Sequence, residues 1–178
     1  MIKRGVKLPQ LSVHDATLQY IAAMQSSDHS TFTSLPTIRN HVLPIDRLIG
    51  QVVSDRLMLA GYHLQAGDGL LIKGNYRTAI SRHYYAMYHA ARAITFAVNN
   101  GDDFQQHRVL PAHLPQNLTD RQALSAELTS ARLLRNEADY DLYPVNDEEW
   151  VSEARSLAGT ASKFCEACEN FALSEGYV

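Results

Sequence analysis

The chain has 178 residues, 46% of them hydrophobic and 20% charged, with a formal net charge of −3 at pH 7. That is the size of one globular domain with room for a short arm. The negative total excludes a generally basic, nucleic-acid-coating surface, so any such site has to be a local patch.

The opening "MIKRGVKLPQ" lacks an apolar core of signal-peptide length, and no segment reaches the roughly 18 apolar residues of a membrane span. The expectation is a cytoplasmic protein with no membrane contact. A short helix is expected over about Ser12 to Gln25, "SVHDATLQYIAAMQ", followed by the Ser/Thr/Pro-containing "SSDHSTFTSLPTIRNHVLP". Residues 1–44 therefore read as an N-terminal helical arm with a linker, and residues 45–178 as the main body.

Glycine and proline fall between long periodic segments and strand-like alternation is scarce, which reads as all-α. Ile45 to Lys73 forms a first long helix, with Leu48, Val52, Leu59, Tyr62 and Ala66 expected on one side. Gly74 and Asn75 make a short link, which implies an antiparallel neighbour. Asn75 to Asn99 is the second helix, with Tyr84, Tyr88, Ala91, Thr95 and Val98 in one stripe, Ile80, Met87 and Ile94 beside it, and Gly101 as its stop. "GDDFQQHRVLPAHLPQN" follows as a loop or short helix broken by Pro111 and Pro115. "TDRQ" has capping-box form, so the third helix is expected to start at Thr119 and to bury Leu124, Leu128, Ala131 and Leu134. After Pro144, Asn146 with Glu149 marks the start of the last helix. Its stripe is Trp150, Ala154, Leu157, Ala161, Phe164, Cys168 and Phe171, and Gly176 lies past its end.

The chemistry-bearing residues are few. "CEAC" places Cys165 and Cys168 mid-helix with no second ligand pair, so core packing outweighs a zinc or redox site. The expectation is no metal and no cofactor. The helix text "SRHYYAMYHAARA" carries Arg82, Tyr85 and His89, and its tyrosines read as core with hydroxyls reaching polar partners. Arg77, Ser81 and Arg92 read as a solvated face or a groove lining. His107 and His113 sit in the loop, where function concentrates. In "LLRNEADYDLYP", Arg135 and Asp139 share a helix face, as do Asn136 and Tyr140. The polar density there exceeds what ending a helix requires.

"YRTAISRHYYAMYHAARA", His107 in the following loop, and "RNEADYD" before a last long helix together resemble the HEPN superfamily. More closely, they resemble its small prokaryotic branch, whose members carry a Ser-Arg-x-Tyr-Tyr-Ala-Met-(Phe/Tyr)-His-Ala-Ala-Arg helix and an Arg-x-x-Ala-Asp-Tyr motif. The likeness covers about residues 47–175 and leaves out the first 44. It implies an antiparallel four- to five-helix up-down bundle, a homodimer, and a setting in bacterial toxin–antitoxin or defence systems with an antitoxin or nucleotidyltransferase partner. Many HEPN proteins are metal-independent ribonucleases, whose motif is Arg, a polar residue, then His at the fifth to seventh position after the Arg. Arg would stabilise transition-state charge on phosphate, and His would act as general acid or base.

Carried over, Arg135 is the Arg and Asn136 the polar residue. The His positions hold Tyr140, Asp141 and Leu142. The ribonuclease motif is therefore incomplete. Arg56 with His63, Arg77 with His83, Arg82 with His89, and Arg108 with His113 fit the bare spacing, but twelve Arg and eight His produce such pairs by chance, and none sits at the motif's place. Three functions compete. The first is binding of a nucleotide, RNA or partner protein through Arg135, Asp139, Tyr140, Arg82 and Tyr85. The second is an active ribonuclease using Arg135, Asn136 and His107. The third is a structural dimerisation or adaptor subunit in which "RNEADYD" latches helices together.

Overall fold

The computed structural model describes residues 45–99 and 104–178. The helix expected at Ser12–Gln25 and the stop at Gly101 lie outside them. Among the described residues there are four long helices and no strand: α1 (Ile45–Ile72), α2 (Tyr76–Val98), α3 (Arg121–Tyr140) and α4 (Val151–Ser174). The all-α bundle expected from the sequence is what the structure shows. Among these residues, no helix is long and apolar enough to cross a membrane.

α2 is the central element. Seventeen of its 23 residues are buried, including every residue from Ala90 to Ala97, so it has neighbours on nearly all sides. It packs against α1, α4 and α3, while α3 barely meets α4. Ala86, Ala90, Ala93 and Ala97 recur every three or four residues, all almost fully buried. Such a stripe of small side chains lets a neighbouring helix come close. Tyr84, Ile80, Met87, Ile94 and Phe96 fill the space around it.

The link from α1 to α2 is a Schellman turn. Gly74, at φ 77°, donates its N–H to Leu71 O, and the Asn75 N–H reaches back to Leu70 O. The exposed N-terminus of α2 is then capped from far along the chain. Asp147 accepts from the N–H groups of Tyr76 (2.6 Å) and Arg77 (3.2 Å). A carboxylate there satisfies orphan donors and complements the helix dipole. Arg77 completes the junction: its Nε donates to Ala138 O at 2.7 Å, another of its N–H groups donates to Asp141 O, and its guanidinium lies over the Trp150 ring. The Arg77 side chain is therefore spent on the C-terminus of α3 rather than on a groove.

Three local expectations need correcting. On α1 the core takes Ile49, Val53, Ala60 and Leu64, whereas Leu59, Tyr62 and Ala66 are exposed. Only Val52 of the expected side is buried; the side chain of Leu48 lies outside the described residues. Apolar residues occur on both faces of this helix, so periodicity alone picked the wrong one. Val98, expected in the α2 stripe, is exposed at the helix end. The capping box at Thr119 does not form. Asp120 adopts a left-handed conformation (φ 55°, ψ 27°) that Asp tolerates, and α3 begins at Arg121. The Arg121 side chain instead donates to Leu114 O and Ala112 O, pinning the loop to the helix start.

The last helix is as expected in its buried stripe: Trp150, Ala154, Leu157, Ala161, Phe164, Cys168 and Phe171 are all buried. Asn146 accepts from the Glu148 N–H (3.2 Å), and a 3-10 turn over Asp147–Trp150 leads into α4. Both cysteines are free and buried. Burial pushes the Cys165 thiol up to about 12 and Cys168 well above its usual range, as suits packing rather than reactivity.

Candidate functional site

The polar run at the end of α3 faces α2. Arg135 sits at its centre, with Nε 2.7 Å from Asp139 Oδ2 in an i, i+4 ion pair. Its Nη2 donates to the Tyr85 hydroxyl (3.1 Å) and its Nη1 to Asn136 Oδ1 (3.1 Å). The guanidinium lies 5.4 Å from the centroids of both the Tyr85 and Tyr140 rings. Burial works against its charge, but Asp139, Tyr85 and Tyr140 more than offset that, so its pKa sits above the ordinary Arg value. Asp139 also accepts from Ser81 Oγ on α2 at 3.3 Å. Four of the expected site residues, Arg135, Asn136, Asp139 and Tyr140, therefore form one cluster with Tyr85.

His107 joins it from the loop. Its Nδ1 is 2.5 Å from the Tyr84 hydroxyl, and its ring stacks on Tyr88 with centroids 4.1 Å apart and planes 20° apart. It also meets the Tyr85 ring edge-on at 6.0 Å. Tyr88 holds the loop in turn, its hydroxyl donating to Gln105 O at 2.6 Å. Burial, with help from Arg135, Arg92 and Arg132, holds the His107 pKa below its ordinary value. The imidazole is therefore neutral at neutral pH. Burial likewise raises the Tyr84 pKa, so that hydroxyl keeps its proton. The Tyr84 hydroxyl and His107 Nδ1 therefore share one hydrogen bond between neutral groups, which engages that ring nitrogen.

Other expected residues fall elsewhere. Arg82 is exposed, one turn before Tyr85 on the same α2 face. His113 accepts no role in the cluster: it contacts Val109 O and stacks on Phe104. His83 is fully buried, with Nε2 3.0 Å from Asp68.

Three contributors escaped the sequence. Arg132 lies close enough to act on both Tyr84 and His107, and its buried Nε has no hydrogen-bond partner among the described residues. Its position three residues before Arg135, on the same helix face, was the available signal. His63 and His89 stack on one another, centroids 5.2 Å apart and planes 11° apart, beside Tyr85. Burial and the surrounding His63, Arg92, Arg56 and His107 press His89 down to about 4. No local pattern announces a contact between α1 and α2 of this kind. Among the described residues, no group of three His, Cys, Asp or Glu side chains is placed to hold a metal ion.

A family model for the HEPN domain matches residues 53–171, from α1 through most of α4, and takes in the whole cluster. The chain belongs to the HEPN domain family. No curated protein and no solved structure matches it in the parallel comparisons. Within this HEPN domain, the Arg135 cluster spans the central helix, the loop before α3 and the end of α3.

Proposed function

We propose that this HEPN domain binds a nucleotide or RNA through the cleft at Arg135, and that its ribonuclease motif is degenerate. The observation that carries the reading is the convergence of Arg135 and His107 on the paired tyrosines Tyr84 and Tyr85. Arg135, Arg132 and Arg92 against Asp139 leave a local positive excess in a chain that is negative overall. Guanidinium groups bind phosphate, and the half-buried Tyr85 and the exposed Tyr140 offer ring surface to a base, whereas Tyr84 is buried. His107, hydrogen-bonded to Tyr84 and stacked on Tyr88, adds an imidazole beside them. Tyr140, at the first of the three positions allowed to the motif His, packs against Arg135.

Binding of a labelled single-stranded RNA to the full chain, followed by fluorescence anisotropy, tests this. Arg135→Ala is expected to weaken binding about tenfold or more, since hydrogen bonds to charged groups are worth about 1.5–3 kcal/mol. Unchanged affinity in that variant would sink the reading.

Active ribonuclease is the second reading, favoured by the delivery of His107 to Arg135 from 28 residues upstream. It is ranked lower because none of the three positions allowed to the motif His holds one, and His107 Nδ1 is already engaged by the Tyr84 hydroxyl. RNA incubated with the protein in the absence of metal decides it: cleavage that disappears in both Arg135→Ala and His107→Ala would reverse the ranking. A structural latch explains the Arg135–Tyr85 and Asp139–Ser81 bonds and the seating of His107 on Tyr84 and Tyr88, but it leaves the buried Arg132 Nε without a partner among the described residues.

The proposal extends to the wider setting. The chain is a member of the small prokaryotic branch with the Arg-x-x-Ala-Asp-Tyr motif, acting as a homodimer in the cytoplasm. Its system is of the toxin–antitoxin or defence type, with an antitoxin or nucleotidyltransferase partner. Residues 45–178 are the binding unit and residues 1–44 an arm.

A further inference from the structure

We propose that His63, Tyr85 and His89 form a base-stacking subsite next to Arg135, so that the ligand is a single-stranded oligonucleotide rather than a free mononucleotide. The inference rests on the phosphate-binding reading of Arg135 and adds the class of ligand.

The three rings come from two helices and lie nearly parallel. His63 and His89 are 11° apart in plane, Tyr85 and His89 29°, and His63 and Tyr85 30°. Their centroids are 5.2 to 6.4 Å apart. Each is half-buried, so the ring cluster is wedged between α1 and α2 while part of it stays open to solvent. Elsewhere on the α1 side of the seam lie buried aliphatic Val53, Ala60 and Leu64, with polar contacts from Arg56 to Arg92 O and from His83 to Asp68. Burial holds both below their usual pKa, so both imidazoles are neutral at neutral pH. Neutral, near-parallel π faces are what a nucleobase stacks on.

Two cations border the rings. The Arg135 guanidinium is over Tyr85, at one edge. Arg82, exposed, is a turn before Tyr85, and its charge acts on His63 at the other. Tyr85 belongs to both the Arg135 cluster and the ring cluster, so the two are continuous. A phosphate at Arg135 therefore has a base platform beside it and a second cation beyond that. A mononucleotide can use Arg135 and one ring; only a longer strand engages Arg82 as well.

The test uses the full chain with a labelled single-stranded oligoribonucleotide of about eight residues, within the site size of other stacking binders. Its abasic counterpart and free AMP serve as comparisons. His63→Ala is expected to weaken the oligonucleotide about tenfold, His63→Phe to retain it, and Arg82→Ala to weaken it while leaving AMP unchanged. The abasic strand is expected to bind wild type weakly and to lose nothing further in His63→Ala. If melting shows that His63→Ala does not fold, His63→Leu supplies the same bulk without the π face. A His63 variant that folds, lacks the ring and binds the oligonucleotide like wild type overturns the subsite, and so does AMP binding as tightly as the strand. In those cases loss of binding in Arg135→Ala leaves the underlying reading intact. Binding of neither the strand nor AMP by wild type ends both.

Discussion

Gly67 shows how closely one residue can be held. A Cβ built there would come within 2.7 Å of the buried His83 ring, whereas one built at Gly69, two residues on in the same helix, meets nothing within 4 Å. Gly67→Ala is therefore expected to destabilise the protein by about 1–3 kcal/mol through overpacking. Gly69→Ala is expected to stabilise it by about 0.5–1 kcal/mol through helix propensity. Urea midpoints of the two variants check the pair, and equal shifts would contradict it. His89 carries a different consequence. Its folded pKa of about 4 lies below the ordinary 6.5, so on acidification the unfolded chain takes up the proton first. The stability concerned is complete above 6.5 and is lost as pH falls from 6.5 toward 4. His89→Gln is expected to show a smaller loss of stability than wild type between about pH 7.5 and about pH 5. An unchanged loss would mean that His89 is not the group responsible.

Helix ends, more than helix middles, organise this bundle. The Asp147 carboxylate serves two N–H groups of α2, 70 and 71 residues earlier in the chain. Asp147→Ala is expected to cost about 1–2 kcal/mol, in the range of lost N-caps, and Asp147→Asn less. Chemical denaturation of the two variants measures the difference. The contrast with Thr119 explains what the sequence could and could not disclose. The stripe of α4 was legible because its apolar residues lie on one face, and Asn146 was legible as a cap because it acts locally. Asp147 capping α2, Arg77 closing α3, and Arg121 replacing a capping box are all long-range or loop contacts, and no spacing rule contains them. The site divides the same way. Arg135, Asn136, Asp139 and Tyr140 share one helix, and their polar density stood out. His63 gains meaning only from what it meets across helices, and Arg132 was marked only by its spacing from Arg135. α1 misled for a related reason: with apolar groups on both faces, its pattern leaves two registers open.

Across the whole molecule, the apolar surface is uneven. Leu142, Tyr143 and Val145 follow directly on the Arg135 helix and are 77%, 77% and 73% exposed. Tyr140 beside them is exposed too. A run of large apolar side chains left in water marks a contact surface more often than a free one. As the proposed homodimer would place this surface at the subunit contact, light scattering is expected to give a dimer for wild type. Leu142→Asp combined with Val145→Asp is expected to shift it toward monomer while thermal melting still shows a folded chain. A monomeric wild type at micromolar concentration would refute the arrangement.

The Arg77–Asp147 junction has a reach beyond the ends it caps. Arg77 grips the end of α3 just past Arg135, and Asp147 grips the start of α2 two turns before Tyr85. The two helices that carry Arg135 and Tyr85 are thus tied together outside the cluster, so the contact between those two side chains is set by a knot that neither of them belongs to.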